Sequence, residues 1–444
     1  MQQVAMQQPV GGVLGLDFGT TNSVVARAGA PGVSALVDFR GDKATGAVFR
    51  SALCFWHDDE VKGGLAHEAG PWAIAEYLDF PQDSRFIQSF KTVAASHLFE
   101  HATVFDKRYR FEDLGAMFLA RMAAHADGGL NGGAGGGTPA RIVVGVPVEF
   151  AGFRPDPALA RTRYDRMFQS VGTEIHYVYE PLGAAFSYAS RLTEPATILV
   201  ADFGGGTSDF SIVRVAEPGA ARRCTPLGSA GVGIAGDRFD YRILDNLVLP
   251  MLGKGGRYRS FDKLLDIPLS FFSDFGDWSR LALMRNARTM DALHRLKAAA
   301  LDPAAVGRMI AVIEGELGYP LYDAVGRLKR QLSTDPAAHF HFKAPGLTID
   351  ADVTRADFET WIAPDIARIE DTVDTALARA GTTPDQIDRV FLTGGSSLIP
   401  AIRHIFDSRF GPERIATGGE LTSIAHGLAL IGQEPRIEDW VAAL

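Results

Sequence analysis

Two stretches far apart in the chain place an aspartate, glycines and threonine hydroxyls at the end of an apolar run. They are Val13-Leu14-Gly15-Leu16-Asp17-Phe18-Gly19-Thr20-Thr21 and Ile198-Leu199-Val200-Ala201-Asp202-Phe203-Gly204-Gly205-Gly206-Thr207. A second strand-like run follows each, Ser23-Val24-Val25-Ala26 and Phe210-Ser211-Ile212-Val213, so the pattern predicts one hairpin built twice. Glycine turns the backbone tightly and brings its N–H groups close to an anion, and threonine adds hydroxyl donors, which suits both tips to phosphate. The carboxylates suit a hydrated Mg2+, an ion that keeps several waters and needs one or two anionic neighbours beside phosphates. One such segment alone reads as an ordinary glycine turn. Its recurrence with the same order of residue types favours two phosphate clamps on one nucleotide, held between related halves.

Apolar periodicity outlines the elements that must hold these tips. From Val10 to about Tyr188 the pattern is mixed α/β. Phe111 to His125 has helical spacing (Leu114, Phe118, Leu119, Met122), and Asp127 to Thr138 is a glycine-rich surface loop. Ile142-Val143-Val144-Gly145-Val146 fills both faces with apolar residues and predicts a central strand. Small and apolar residues from Gly183 to Leu192 predict a helix packed closely between the halves, with Glu180-Pro181 at its start, and the second half begins near Thr197.

Leu247 to about Leu332 is long and mostly helical, and in its last part Leu321, Val325, Leu328 and Leu332 line one face, leaving Lys329 and Arg330 off the stripe. His341-Phe342 and Leu347 to Val353 predict strands, followed by a long helix over Ala356 to Ala380. Arg389-Val390-Phe391-Leu392 predicts a short buried strand ending in Thr393-Gly394-Gly395-Ser396-Ser397, with a helical stripe of Leu398, Ile402, Ile405 and Phe406 beyond it. A strand, a double glycine and a serine N-cap would present helix N-terminal amides to a ligand. Alone this is a plain strand-to-helix connection; beside two clamps it is expected to touch the nucleoside.

The 444 residues allow two to four compact units or one two-lobed body with inserted subdomains. Hydrophobic content of 46% and charged content of 22% are those of a globular protein with a substantial core. The net charge of −9 gives no support to nucleic acid or an anionic membrane as partner. The two cysteines, Cys54 and Cys224, lack CxxC spacing, which argues against a disulfide framework or structural zinc and for a reducing, cytoplasmic setting. Val10 to Leu16 leads into the first clamp as a strand without a basic leader, and no apolar stretch approaches the roughly 20 residues that cross a bilayer. Gly231-Val232-Gly233-Ile234-Ala235-Gly236 fits GxGxxG but stands alone as a weak dinucleotide signal, P-loop spacing is missing, and Asp58-Asp59 reads as a solvated turn.

Five motifs, Leu-Asp-Phe-Gly-Thr-Thr-Asn-Ser (16–23), Glu-Pro-Leu-Gly-Ala-Ala (180–185), Asp-Phe-Gly-Gly-Gly-Thr-Ser-Asp (202–209), Gly-Asp-Arg-Phe-Asp (236–240) and Thr-Gly-Gly-Ser-Ser-Leu-Ile-Pro (393–400), together resemble the ATPase domain of the seventy-kilodalton heat-shock chaperones (DnaK type), within the actin and sugar-kinase superfamily. The likeness spans about residues 12 to 432. It implies an α/β, bilobal actin-like ATPase fold of duplicated ribonuclease-H-like domains, binding ATP or ADP with Mg2+ in the cleft. The implied organisation is a disordered tail at 1–9, lobe I at 10–195, lobe II at 196–420 with an enlarged helical insertion about 247–332, and a C-terminal helix in 421–444 returning to lobe I.

By the same resemblance Asp17, Glu180, Asp202 and Asp209 form the catalytic set. Asp17 and Asp202 hold the metal through its waters, and Glu180 and Asp209 sit near the attacking water. Gly19, Thr20, Thr21, Asn22, Gly204, Gly205, Gly206 and Thr207 surround the phosphates. Gly236, Lys329, Arg330, Ser333, Gly394, Gly395 and Ser396 approach the nucleoside.

The chain also departs from the family pattern. The stretch Gly64-Leu65-Ala66-His67-Glu68-Ala69-Gly70 has no lysine where the family places a catalytic one, and neither Lys62 nor Lys91 fits the motif, which predicts slow hydrolysis. Leu398 stands where the family stacks an arginine on adenine. The chain is expected to lack a peptide-clamp segment after the ATPase body, a pattern that resembles the short YegD-like branch. The aromatics Phe261, Phe271, Phe272, Phe275 and Trp278 of the enlarged region are expected to pack its core in preference to forming a partner surface.

The function expected is therefore a monomeric, chaperone-like ATP-binding protein, a weak ATPase at most, whose nucleotide-dependent lobe closure controls an unidentified protein partner. An actin-like filament or nucleotide-sensing protein without significant ATPase activity is the alternative, and a small-molecule kinase ranks last for want of a sugar-kinase signature.

Overall fold

The computed structural model describes residues 12–41, 45–130, 139–152, 154–171, 173–218, 220, 223–276, 284, 287–315, 317–417 and 422–444. The expected 1–9 tail, residues 131–138 of the glycine-rich loop and Trp278 lie outside them. The chain forms two compact units: Met1–Ala235 with Arg368–Ser397 and Ile402–Leu444, and Gly236–Ala367 with Leu398–Ala401. Both Asp-bearing hairpins fall in the first unit, so this division does not separate the two anticipated halves.

The strands that matter are β1 (Val13–Phe18), β2 (Asn22–Ala28), β3 (Ser34–Leu36), β4 (Val48–Arg50), β5 (Ala52–His57), β6 (Leu65–Ala69), β7 (Ser84–Gln88), β8 (Arg141–Val146), β9 (Glu174–Tyr179), β10 (Ala196–Phe203), β11 (Ser208–Val215), β12 (Cys224–Val232), β13 (Ala337–Ala344), β14 (Leu347–Thr354), β15 (Arg389–Thr393) and β16 (Ile415–Thr417).

One sheet runs β9-β8-β1-β2-β3, with β4 also on β2; another runs β12-β11-β10-β15-β16. The two share one plan. In each, the Asp-bearing strand is central, its hairpin mate and a third strand pair antiparallel on one side, and two strands pair parallel on the other. β8 and β15 are buried on both faces, which explains their unbroken apolar runs. The duplication is therefore in the topology as well as in the motifs.

Two cores hold this unit together. One packs Phe18, Phe49, Phe90, Phe118 and Tyr164 beneath the first sheet, with Phe18 and Phe118 centroids 5.6 Å apart. Truncating such a ring to alanine costs about 3–5 kcal/mol, because the surroundings collapse only partly into the space. The other packs Val143, Ile198, Val200 and Phe391 around the helices Glu180–Ala189 and Ser423–Ile431. Those helices meet through small residues, Gly183 against Gly427, and Ser423–Ile431 also lies on β1. The first helix starts at Glu180 and ends at Ala189, where the small-residue run predicted Gly183 to Leu192; Pro181 in its first turn explains the early start.

The second unit is largely helical, including Gly236–Ile243, Ala287–Ala299, Pro303–Glu314, Gly318–Thr334 and the first part of Arg355–Ala380. The Leu321, Val325, Leu328 and Leu332 stripe is the buried face of its helix, as the spacing predicts. The region also holds a hairpin, Arg257–Ser260 with Lys263–Asp266, which helical periodicity missed because its second strand is exposed throughout. Phe272 and Phe275 are buried, but Phe261 is fully exposed at the turn with φ 52, a correction to the expectation that it joins the core. Asp365, only 2% exposed, is held by Arg242 through bonds of 2.6 and 3.2 Å, with Arg238 alongside. Among the described residues, no helix is long and apolar enough to cross a membrane.

Candidate functional site

The two hairpin tips close on each other: a Cβ placed on Gly206 would lie 3.3 Å from Thr20 Oγ1 and 3.5 Å from Thr92 Cγ2. Each tip is tightened locally. Gly204 N–H donates to Thr207 O at 3.0 Å, and in the first hairpin Ser51 Oγ donates to Gly19 O at 2.6 Å. The Asn22 carboxamide accepts from Arg50 at 2.9 Å, so it braces the tip from below. Thr20, Thr21, Gly205, Gly206 and Thr207 stay partly open, and Gly204 is exposed, leaving hydroxyls and amides for an oxyanion.

Behind the tips the strand registers set the acids. Asp202 lies directly across from Asp209, whereas Asp17 faces Val24, so the duplicated hairpins differ in one carboxylate. Asp209 is fully buried and its Oδ1 accepts from Val148 N at 2.8 Å and Glu149 N at 3.3 Å, while its Oδ2 is buried with no hydrogen-bond partner. Gly231 makes room for it, since a Cβ there would overlap Asp209 Oδ1. Glu180, first residue of its helix and 6% exposed, completes the set.

These acids repel one another in a low-dielectric pocket. Burial, then the Glu180 carboxylate, pushes Asp17 from 3.8 up to about 7, with Lys91 pulling the other way. Burial, then Glu180, raises Asp209 to about 7 against the Thr207 hydroxyl and the two amides. Asp202 is raised well above the usual range by burial, then by Glu180, Asp17 and Asp209. Among the described residues, four carboxylates against a single ammonium form a site short of positive charge. Their all-oxygen donors and the unbonded Asp209 Oδ2 fit a hard divalent cation such as Mg2+.

That ammonium is Lys91. Its segment follows β7 of a small sheet ordered β6-β5-β7, in a turn over Phe90–Val93. Lys91 Nζ lies 2.5 Å from Glu180 Oε1, and 5.9 Å from the centre of the Phe18 ring. Burial opposes its charge, but Glu180, Tyr164 and Asp17 outweigh that and raise its pKa. The stretch 64–70 indeed holds no lysine, but Lys91, set aside on motif grounds, comes from the turn after β7 and brings an ammonium to the carboxylates. Arg163 is a second residue that motif reading missed. Buried on the helix Pro157–Phe168, it donates to the carbonyls of Val93, Ala94, Ser96 and Phe99 and so fixes the turn that carries Lys91. The one signal in the sequence was a lysine set among phenylalanines, Phe86 and Phe90, in a segment with no helical or strand period.

The third glycine segment differs from expectation. Gly394 has φ +82 and a Cβ there would strike Phe203 O, so it anchors β15 to the end of β10. Gly395–Leu398 is a short 3-10 turn and the helix begins only at Pro400; the Ser397 hydroxyl donates back to Gly394 O at 2.7 Å and does not cap helix amides. Leu398 is 59% exposed and lies outside the helical stripe.

Gly236, Lys329, Arg330 and Ser333 belong to the second unit. There Lys329 Nζ donates to Gly236 O at 3.0 Å and pairs with Asp240 at 2.9 Å, Ser333 Oγ donates to Lys329 O, and Arg330 is exposed. Two surface hollows of about 350 and 410 Å³, one by Asp165 and Phe168 and one by Glu100 and His101, contain none of the site residues. Cys54 and Cys224 are buried, which pushes both thiols up to about 12 and keeps them protonated.

Residues 319–434 match the family model described as Hsp70 protein. The chain is 26% identical over 414 residues to Chaperone protein DnaK of one Thermus thermophilus strain, covering 90% of this chain and 57% of that one. It is 25% identical over the same extent to Chaperone protein DnaK of a second Thermus thermophilus strain. The chain thus spans 57% of the length of these curated relatives. The matches agree with the α/β actin-like ATPase fold class and with the paired sheets described above.

Proposed function

This chain is related to the Hsp70 (DnaK-type) proteins, and on that premise we propose that it binds ATP with Mg2+ at the paired hairpin tips, hydrolyses it slowly, and couples nucleotide-dependent lobe closure to a protein partner. The observation that carries the reading is the meeting of Thr20 with Gly206 beside three buried carboxylates, Glu180, Asp202 and Asp209, the partly open Asp17 and one buried lysine.

Asp17 and Asp202 would hold a bound cation through its waters, and the cation would supply positive charge to neutralise phosphate. Thr20, Thr21, Thr207 and the amides of Gly19, Gly205 and Gly206 receive the phosphate oxygens, with Gly204 tightening the turn through its bond to Thr207 O. Glu180 and Asp209 orient the attacking water, and the amides of Val148 and Glu149 fix Asp209 for that task. Lys91 supplies the charge that offsets what develops on the transferred phosphoryl group. Its engagement with Glu180 keeps both groups occupied, which supports slow turnover. The same pairing favours a second reading, a nucleotide sensor without significant hydrolysis.

Single-turnover hydrolysis, measured beside ATP binding, tests the proposal. Release of phosphate from bound ATP supports it, binding without release supports the sensor, and no binding overturns both. Sedimentation with ATP tests the filament alternative, which a soluble monomer in every nucleotide state would leave without support.

A further inference from the structure

We propose that the outer face of hairpin β13–β14, in the second unit, binds one divalent transition-metal ion of the Zn2+ class through His339, His341 and Asp350. The strand alternation dictates that these side chains share a face: Phe340 and Phe342 on β13 and Ile349 and Val353 on β14 are buried, so His339, His341, Asp350 and Asp352 all point outward. The register sets His341 opposite Asp350 and His339 opposite Asp352. One donor atom from each of His339, His341 and Asp350 lies within 4.8 Å of the others.

Asp350 reaches both imidazoles, with Oδ1 2.5 Å from His339 Nε2 and Oδ2 3.1 Å from His341 Nδ1. The other ring nitrogen of His339, Nδ1, faces Asp352 Oδ1 at 2.8 Å. His339 thus has a carboxylate oxygen at each ring nitrogen, and Asp350 is shared between both imidazoles. Zn2+ bonds of about 2.0–2.2 Å to nitrogen and oxygen need only a small spreading of these exposed side chains. Asp352 then plays the part of the carboxylate that orients a metal-bound histidine through its second nitrogen. Two imidazoles with one carboxylate suit Zn2+, Ni2+ or Cu2+ and disfavour Mg2+ or Ca2+. Three protein ligands leave a position for water or for a donor from another molecule.

The test titrates the full chain, free of nucleotide, with Zn2+ at about pH 8, where free imidazole is neutral. The wild type is expected to bind one more Zn2+ per chain than the His339→Ala/His341→Ala variant, and Asp352→Asn is expected to weaken that site about 10-fold or more. Zn2+ should raise the melting temperature of the wild type more than that of the double variant, a comparison that also shows whether the variant is folded. Equal stoichiometry and equal thermal shifts in wild type and double variant would overturn the site. Nothing in this experiment depends on ATP, so its failure would not touch the nucleotide reading.

Discussion

Lys91 and Glu180 form an ion pair at 2.5 Å in which each side chain is only 7% exposed, and they come from segments 89 positions apart. The pair ties the turn after β7 to the first residue of the Glu180–Ala189 helix. It also places one positive charge beside Asp17, where the two hairpin tips meet.

Breaking this pair from one side leaves an uncompensated buried charge. Lys91→Met should destabilise the chain by about 3–5 kcal/mol, whereas Lys91→Met with Glu180→Gln should recover most of the loss. Urea melts of the two singles and the double measure the coupling. A Lys91→Met variant as stable as the wild type would show that the pair is solvated.

The carboxylates should make stability fall with rising pH in the absence of Mg2+ and nucleotide. Asp17 and Asp209 rise to about 7 in the folded chain, so between about pH 4 and 7 the folded state holds protons that the unfolded state has released. Their contribution is present below the unfolded value and is lost as pH climbs through the folded one, opposite to the usual aspartate. Asp17→Asn should therefore raise the Mg2+-free stability near pH 8 by on the order of 1–3 kcal/mol and flatten the pH profile. Melting curves across pH, with and without Mg2+, provide the check; an Asp17→Asn variant that melts lower than the wild type at pH 8 contradicts it.

Gly231 is the contact that lets Asp209 lie against the Val148 and Glu149 amides. Gly231→Ala should cost about 1–3 kcal/mol through overpacking and should displace the Asp209 carboxylate. The displacement is readable as a slowed hydrolysis step with ATP binding little changed, and a variant with unaltered single-turnover rate would remove Asp209 from the proposed role.

Arg163 acts on Lys91 at one remove. Arg163→Met removes the donor from four carbonyls between Val93 and Phe99 and should cost about 2–4 kcal/mol. Amide exchange should quicken through residues 91–99 ahead of the rest of the chain. Uniform exchange across the first unit would indicate a global effect only.

Much of this was written in local pattern. The doubled Asp-Gly-Thr hairpins, the buried β8 and β15, the Phe111–His125 helix and the Leu321-to-Leu332 stripe all follow from periods that a single segment sets by itself. Lys91, Arg163 and the Asp209-binding amides were not visible there, because they matter only through neighbours brought by tertiary packing from 60 to 90 positions away. The third glycine segment misled for a related reason. Its serines have N-cap chemistry, but Pro400 fixes where the helix starts and Gly394 draws the Ser397 hydroxyl back onto its own carbonyl. The exposed Phe261 turn shows that aromatic composition alone does not set burial.

The most direct measurement is a calorimetric titration of Mg2+ and ATP into the wild type, Asp17→Asn and Asp202→Asn chains. The expected result is one site per wild-type chain, weakened about 10-fold or more, or about 1.4 kcal/mol, in each variant. No binding by the wild type, or equal binding by all three, would contradict a nucleotide site built on the paired hairpin tips.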